Sequence, residues 1–72
     1  MDNKININIL KPGMNIKFKT IKEHAAIGKI TSIDLDKNTI LLHNMIYLSD
    51  FSPLRGKFGG LNIGISQFIN II

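Results

Sequence analysis

The chain of 72 residues carries a formal net charge of +4, is 44% hydrophobic and has no cysteine. That length makes one small domain spanning 1–72, with a marginal core, because so short a chain buries only roughly 60% of the surface its unfolded form exposes. Disulfides and thiolate metal sites are excluded, no stretch approaches the about 20 apolar residues of a membrane-spanning helix, and self-association is the expected supplement to the core.

The first residues, MDNKININIL, carry Asp2 and alternate instead of running apolar, so they do not read as a signal peptide. A soluble, cytoplasmic protein is expected. The positive balance predicts attraction to nucleic acid, nucleotides or acidic protein surfaces. Isoleucine is abundant, and its stiff β-branched side chain favours strands.

Lys4 to Leu10 places Ile5, Ile7 and Ile9 on one face and Asn6 and Asn8 on the other, which predicts a half-buried strand. Lys11-Pro12-Gly13 predicts a type II turn, proline setting φ at one position and glycine accepting the positive φ of the next. Asn15 to Thr20 resumes alternation, with Ile16 and Phe18 inward and Lys17 and Lys19 outward. Lys22 to Ala26 reads as a loop, with a single helical turn as the alternative, because Thr20 and Glu23 have capping-box spacing. Ile27 to Leu42 reads as two strands joined by a tight turn over Asp34, Asp36, Lys37 and Asn38.

Within that hairpin Ile27, Ile30 and Ile33 break alternation, which predicts a bulge near Thr31-Ser32 and a bent strand. Gly28 suits a sharp bend or a close crossing. His43-Asn44 reads as a short turn and Met45 to Leu48 as a further strand. Ser49 to Leu54 reads as a tight bend or one 3-10 turn, with Phe51 and Leu54 tucked under the end of a barrel. Leu61 to Ile65 alternates as a strand, and Ser66-Gln67 break its phase. Phe68 to Ile72 is apolar on both faces, which predicts pairing with the N-terminal strand, with another subunit, or with both.

The order of elements predicts an all-β fold that looks like a small SH3-like barrel of about five to six strands with a short 3-10 turn. Within it, Leu10 to Asp34 resembles the KOW motif of ribosomal and transcription-elongation proteins through Pro12-Gly13, Ile16, Phe18, Gly28, Ile30 and Ile33. That resemblance implies nucleic acid, usually RNA, or a protein as partner. Gly28, Ile30, Ile33, Asp34, Asn38 and Leu41 also partially resemble the first motif of Sm/Hfq-like barrels. The sequence departs from that family at Lys37, in the missing glycine between Ile46 and Leu54, and in the missing N-terminal helix.

Enzymatic constellations are absent from the sequence. Ser32, Ser49, Ser52 and Ser66 stand in no nucleophile motif, His24 and His43 are isolated, and no ligand spacing joins the histidines to Asp34 and Asp36. No cofactor or metal is expected. The cations are better organised: Lys17 and Lys19 share one strand face, Lys29 starts the neighbouring strand and Lys22 lies in the loop between, a pattern able to contact phosphates. Arg55-Gly56-Lys57-Phe58-Gly59-Gly60 adds two cations and glycines whose N–H groups can converge on an anion; Tyr47 and Phe58 are the candidate stacking platforms, Phe18 being expected in the core. The reading is a non-enzymatic module that self-associates through its terminal strands and binds nucleic acid through Lys17, Lys19, Lys22, Lys29, Arg55, Lys57 and Phe58. The alternatives are a phage or mobile-element accessory protein that blocks a host factor or sequesters a nucleotide signal, and a structural assembly module.

Overall fold

The computed structural model describes residues 7–55 and 60–72. Five strands follow one another: β1 (Asn15–Lys19), β2 (Ala25–Asp34), β3 (Thr39–Tyr47), β4 (Leu61–Gly64) and β5 (Phe68–Ile71). They form one antiparallel sheet in the order β4-β3-β2-β1-β5, curled into a half-barrel. The all-β expectation therefore holds. Among the described residues no helix is long and apolar enough to cross a membrane.

The core follows from alternation. Ile16 and Phe18 of β1, Ala26 and Ile30 of β2, Ile40, Leu42 and Met45 of β3 and Ile63 of β4 are buried, and Leu10 joins them from the chain that enters β1. Two irregularities keep this set on one side as the sheet bends. On β2, Ile30 pairs with Leu42 and Ser32 with Leu41, so Thr31 is an extra residue, and Ile33 returns to pack against the core opposite Ile40. This is the bulge expected at Thr31-Ser32. On β3, Lys29 pairs with His43 and Ile27 with Ile46, which leaves Asn44 and Met45 opposite Gly28 alone.

The second bulge corrects one expectation. His43-Asn44 does not turn the chain; it lies inside a single strand of 9 residues, so the strands among the described residues number five. Asn44 takes φ 52°, a left-handed conformation that asparagine tolerates better than most side chains, and the extra residue swings Met45 into the core. Met45 occupies the space that Gly28 leaves empty: a Cβ there would lie 2.9 Å from Met45 Cγ and 3.3 Å from Leu42 Cβ. Gly28→Val should cost about 1–3 kcal/mol by overpacking, read as a lower urea midpoint.

The turns obey local chemistry. Gly13 has φ 94° and Met14 N–H donates to Lys11 O at 3.2 Å, the turn that Pro12-Gly13 encodes. Asp34 Oδ1 accepts from the N–H groups of Asp36 and Lys37, at 3.0 and 3.2 Å. Thr20 to His24 is a tight turn closed by Thr20 N–H to His24 O at 2.9 Å and by Glu23 N–H to Thr20 O at 2.8 Å; the loop reading holds for Lys22 to His24, no helical turn forms, and Ala25 and Ala26 already belong to β2, paired with Lys19 and Phe18.

Three further expectations are corrected. Ile7–Ile9 is a 3-10 segment and not part of a strand; Lys4 to Asn6 lie outside the described residues. Both edges of β1 are taken, by β2 and β5, so no ladder is open beside the chain entering it, and that chain turns to bury Leu10. β5 pairs with β1, and among the described residues with no segment before the Pro12-Gly13 turn. Phe51 is not tucked under the barrel: at φ 57° on the tip of a turn closed by Phe51 N–H to Tyr47 O, it is 69% exposed. Leu54 alone reaches the core from that segment, guided by an Ile46–Pro53 bridge and by Leu54 N–H donating to Met45 O at 2.9 Å.

Candidate anion-binding face and end cleft

Strand register decides which cations stand together. With Ile16, Phe18, Ala26, Gly28 and Ile30 inward, the outer face of β1 and β2 presents Asn15, Lys17, Lys19, Ala25, Ile27 and Lys29. One cross-strand row runs Asn15–Lys29–His43 and the next Asn70–Lys17–Ile27–Ile46. Lys17 and Lys29 are diagonal neighbours, about 7–8 Å apart at Cα by strand geometry, and Lys19 follows Lys17 on the same face about 7 Å further along.

Lys17 and Lys29 are half-buried while Lys19 is exposed. Long cationic side chains in such positions lay their methylene stems on the sheet and keep the ammonium group in water. Lys22 is exposed in the Thr20–His24 turn that continues the line of β1. The structure thus brings Lys17, Lys19 and Lys29 onto one face and sets Lys22 at its end.

Arg55 stands apart. It follows Leu54 beside β3, with β3 and β2 between it and the lysines of β1. Lys57 and Phe58 lie outside the described residues. Among the described residues the acidic side chains keep clear of the face: Glu23 shares the turn of Lys22, while Asp36 and Asp50 sit in the other turns and Asp34 at the far end of β2. Hydrogen bonds from the Ser52 hydroxyl at 2.7 Å and the Ser52 N–H at 3.0 Å hold the Asp50 carboxyl below its ordinary range. That turn's bonding is intact at neutral pH and is lost as pH falls through the lowered value. Among the described residues no three of His, Asp and Glu converge as metal ligands would.

Two features are hard to read from the sequence. Ile27, grouped there with Ile30 and Ile33, faces outward beside Ile46, because Gly28 and not Ile27 holds the inward parity with Ile30. The signal is the spacing of Ala26, Gly28 and Ile30. Next to this strip Thr31 Oγ1 and His43 Nδ1 share a hydrogen bond that spans the β2 bulge.

The second feature is a cleft of about 340 Å³ at one end of the half-barrel, lined by Thr20, Ile21, Lys22, His24, Tyr47, Leu54, Leu61, Asn62 and Gln67. Tyr47, at the end of β3, meets the His24 ring edge-on, with centroids 6.1 Å apart and planes at 89°. Gln67 braces the cleft: its Oε1 accepts from Gly64 N–H at 3.0 Å and its Nε2 donates to Lys19 O at 3.0 Å. One amide so ties β4 to the end of β1 across the 3-10 segment Ile65–Gln67. Gln67→Ala strands both partners and should cost about 1–3 kcal/mol, seen as a lower urea midpoint at unchanged m-value.

No family model, curated protein or solved structure matches this chain.

Proposed function

We propose that this chain is a non-enzymatic, SH3-like binding module that holds nucleic acid on the outer face of β1 and β2. The observation that carries the reading is the register that puts Lys17, Lys19 and Lys29 on one face, with Lys22 at its end and no acidic side chain of the described residues on it. Such an array neutralises successive phosphates without reading sequence.

The bulged β2, its tight turn and the 3-10 segment before the last strand support the SH3-like likeness. The residues resembling the KOW motif each have a place in it, as a turn, core positions and the Gly28 contact, and the ligand implied by that motif is usually RNA. A cytoplasmic location and self-association belong to the same proposal. Ile69 and Ile71 of β5 and Ile72 after it are 39%, 39% and 63% exposed, among the described residues β5 pairs only with β1, and an apolar edge of this kind favours pairing with a second copy. Sedimentation velocity reads this directly: a species heavier than the monomer supports it, and a monomer at every concentration rules it out.

The test of the function is a titration of a labelled single-stranded oligonucleotide at several salt concentrations. Contacts from Lys17, Lys19, Lys22 and Lys29 predict a slope of log affinity on log salt of about −3, so affinity falls about fiftyfold from about 50 to 200 mM salt. No binding at about 50 mM salt sinks the proposal.

A further inference from the structure

The lysines along β1 lead to the cleft. Lys19 ends the strand, Thr20 begins the cleft wall, and Lys22 lines the cleft from the turn. Tyr47 supplies an aromatic wall there, with His24 at its edge, Leu54 and Leu61 as apolar lining and Asn62 as an amide. A cleft of about 340 Å³ with that lining has the composition of a small-ligand site: mostly apolar, aromatic on one side, with few polar groups. The polar atoms of Gln67 are engaged by Gly64 and Lys19, and Thr20 Oγ1 accepts from His24 N–H at 3.1 Å, so the walls are held in place before any ligand arrives.

We propose that this cleft seats one unstacked base of a single strand whose phosphates cross the Lys17–Lys19–Lys29 face, with the base against Tyr47 and the adjoining phosphate beside Lys22. The inference rests on the lysine-face reading and narrows it to single-stranded nucleic acid. A duplex keeps its bases stacked and paired, so it can reach the lysines and not the cleft. Stacking on an aromatic ring tolerates any base, and the cleft adds affinity without a sequence code.

The test uses a property of the chain itself. Tyr47 is the single tyrosine and there is no tryptophan, so intrinsic emission reports this cleft. The full chain is titrated at low salt with a single-stranded oligonucleotide, an abasic strand of equal length, a duplex and a mononucleotide. The expected result is saturable quenching by the single strand only, with the abasic strand and duplex bound, by anisotropy, without quenching. Tyr47→Leu is expected to weaken the single strand about five- to a hundredfold while leaving the abasic strand unchanged, and Tyr47→Phe to keep single-strand affinity. If Tyr47→Leu does not fold, wild-type quenching alone decides.

Binding of single and abasic strands with equal affinity and no quenching overturns the cleft and leaves the lysine face standing. A mononucleotide that saturates the cleft as tightly as the oligonucleotide, and does so in high salt, overturns it too. No binding of any strand overturns the lysine-face reading, and the cleft proposal with it.

Discussion

Replacing Phe18 by alanine is expected to remove about 3–5 kcal/mol of stability, the usual cost of truncating a buried aromatic ring. The side chain has no exposed surface and ranks among the largest fully buried ones. It lies opposite Phe68 across the β1–β5 pair and approaches the Gly28 position, where an added Cβ would be 3.4 Å from Phe18 Cε1. One ring therefore fills the junction between the closing strand and the bend of β2. At about 0.05–0.15 kcal/mol per residue a chain of this size holds only about 4–11 kcal/mol in total. Phe18→Ala should then show no cooperative urea transition by far-UV circular dichroism, or one shifted far down. Phe18→Leu, closer in volume, should keep the transition at a cost of about 1–1.5 kcal/mol. A wild-type midpoint in Phe18→Ala would mean that the core is not where the fold places it.

Neutralising Lys17, Lys19 and Lys29 together, each as Lys→Gln, is expected to abolish most of the salt dependence of oligonucleotide binding. Each phosphate contact on a single strand contributes about 0.7 to the slope, so three lost contacts remove about 2 of the about 3 predicted. Affinity at about 50 mM salt falls steeply, and what remains changes less than about threefold up to about 200 mM. Glutamine keeps a polar head and much of the stem, so the half-buried positions of Lys17 and Lys29 are preserved and circular dichroism should be unchanged. Arg55→Gln is the control. Strand β3 separates it from β2 and the face, and its slope should equal that of the wild type. If Arg55→Gln lowers the slope while the triple variant does not, the binding surface lies along β3 and β4.

Most of the strands are encoded by local signals. Alternation in Asn15 to Lys19, Pro12-Gly13, and the Asp34–Asn38 turn each act over a few residues, and each appears where those residues predict it. The bulge at Thr31 was legible because Ile30 and Ile33 violate period two. Partners distant in sequence were not legible. Ile7 to Ile9 form a 3-10 segment although the sequence alternates there, and the edge of β1 is occupied by β5, some fifty residues later. Asn44 looks like a turn residue because the conformation it favours serves both a reversal and a bulge; only the ladder between β2 and β3 decides. The lysine face was visible as alternation, since register preserves it. The cleft was not, because Tyr47, His24, Leu54, Leu61 and Gln67 come from four separate stretches that only the curl of the sheet brings together.

The most direct measurement is an amide chemical-shift map of the isotope-labelled chain titrated with a single-stranded oligonucleotide at low salt. The predicted map has its largest shifts at Asn15, Lys17, Lys19, Lys22, Ala25, Ile27 and Lys29, extending into the cleft at His24, Tyr47, Leu61 and Asn62, with Asp34 to Asn38 little changed. Shifts centred on β4 and Arg55, or none at all, would contradict a nucleic-acid face built on β1 and β2.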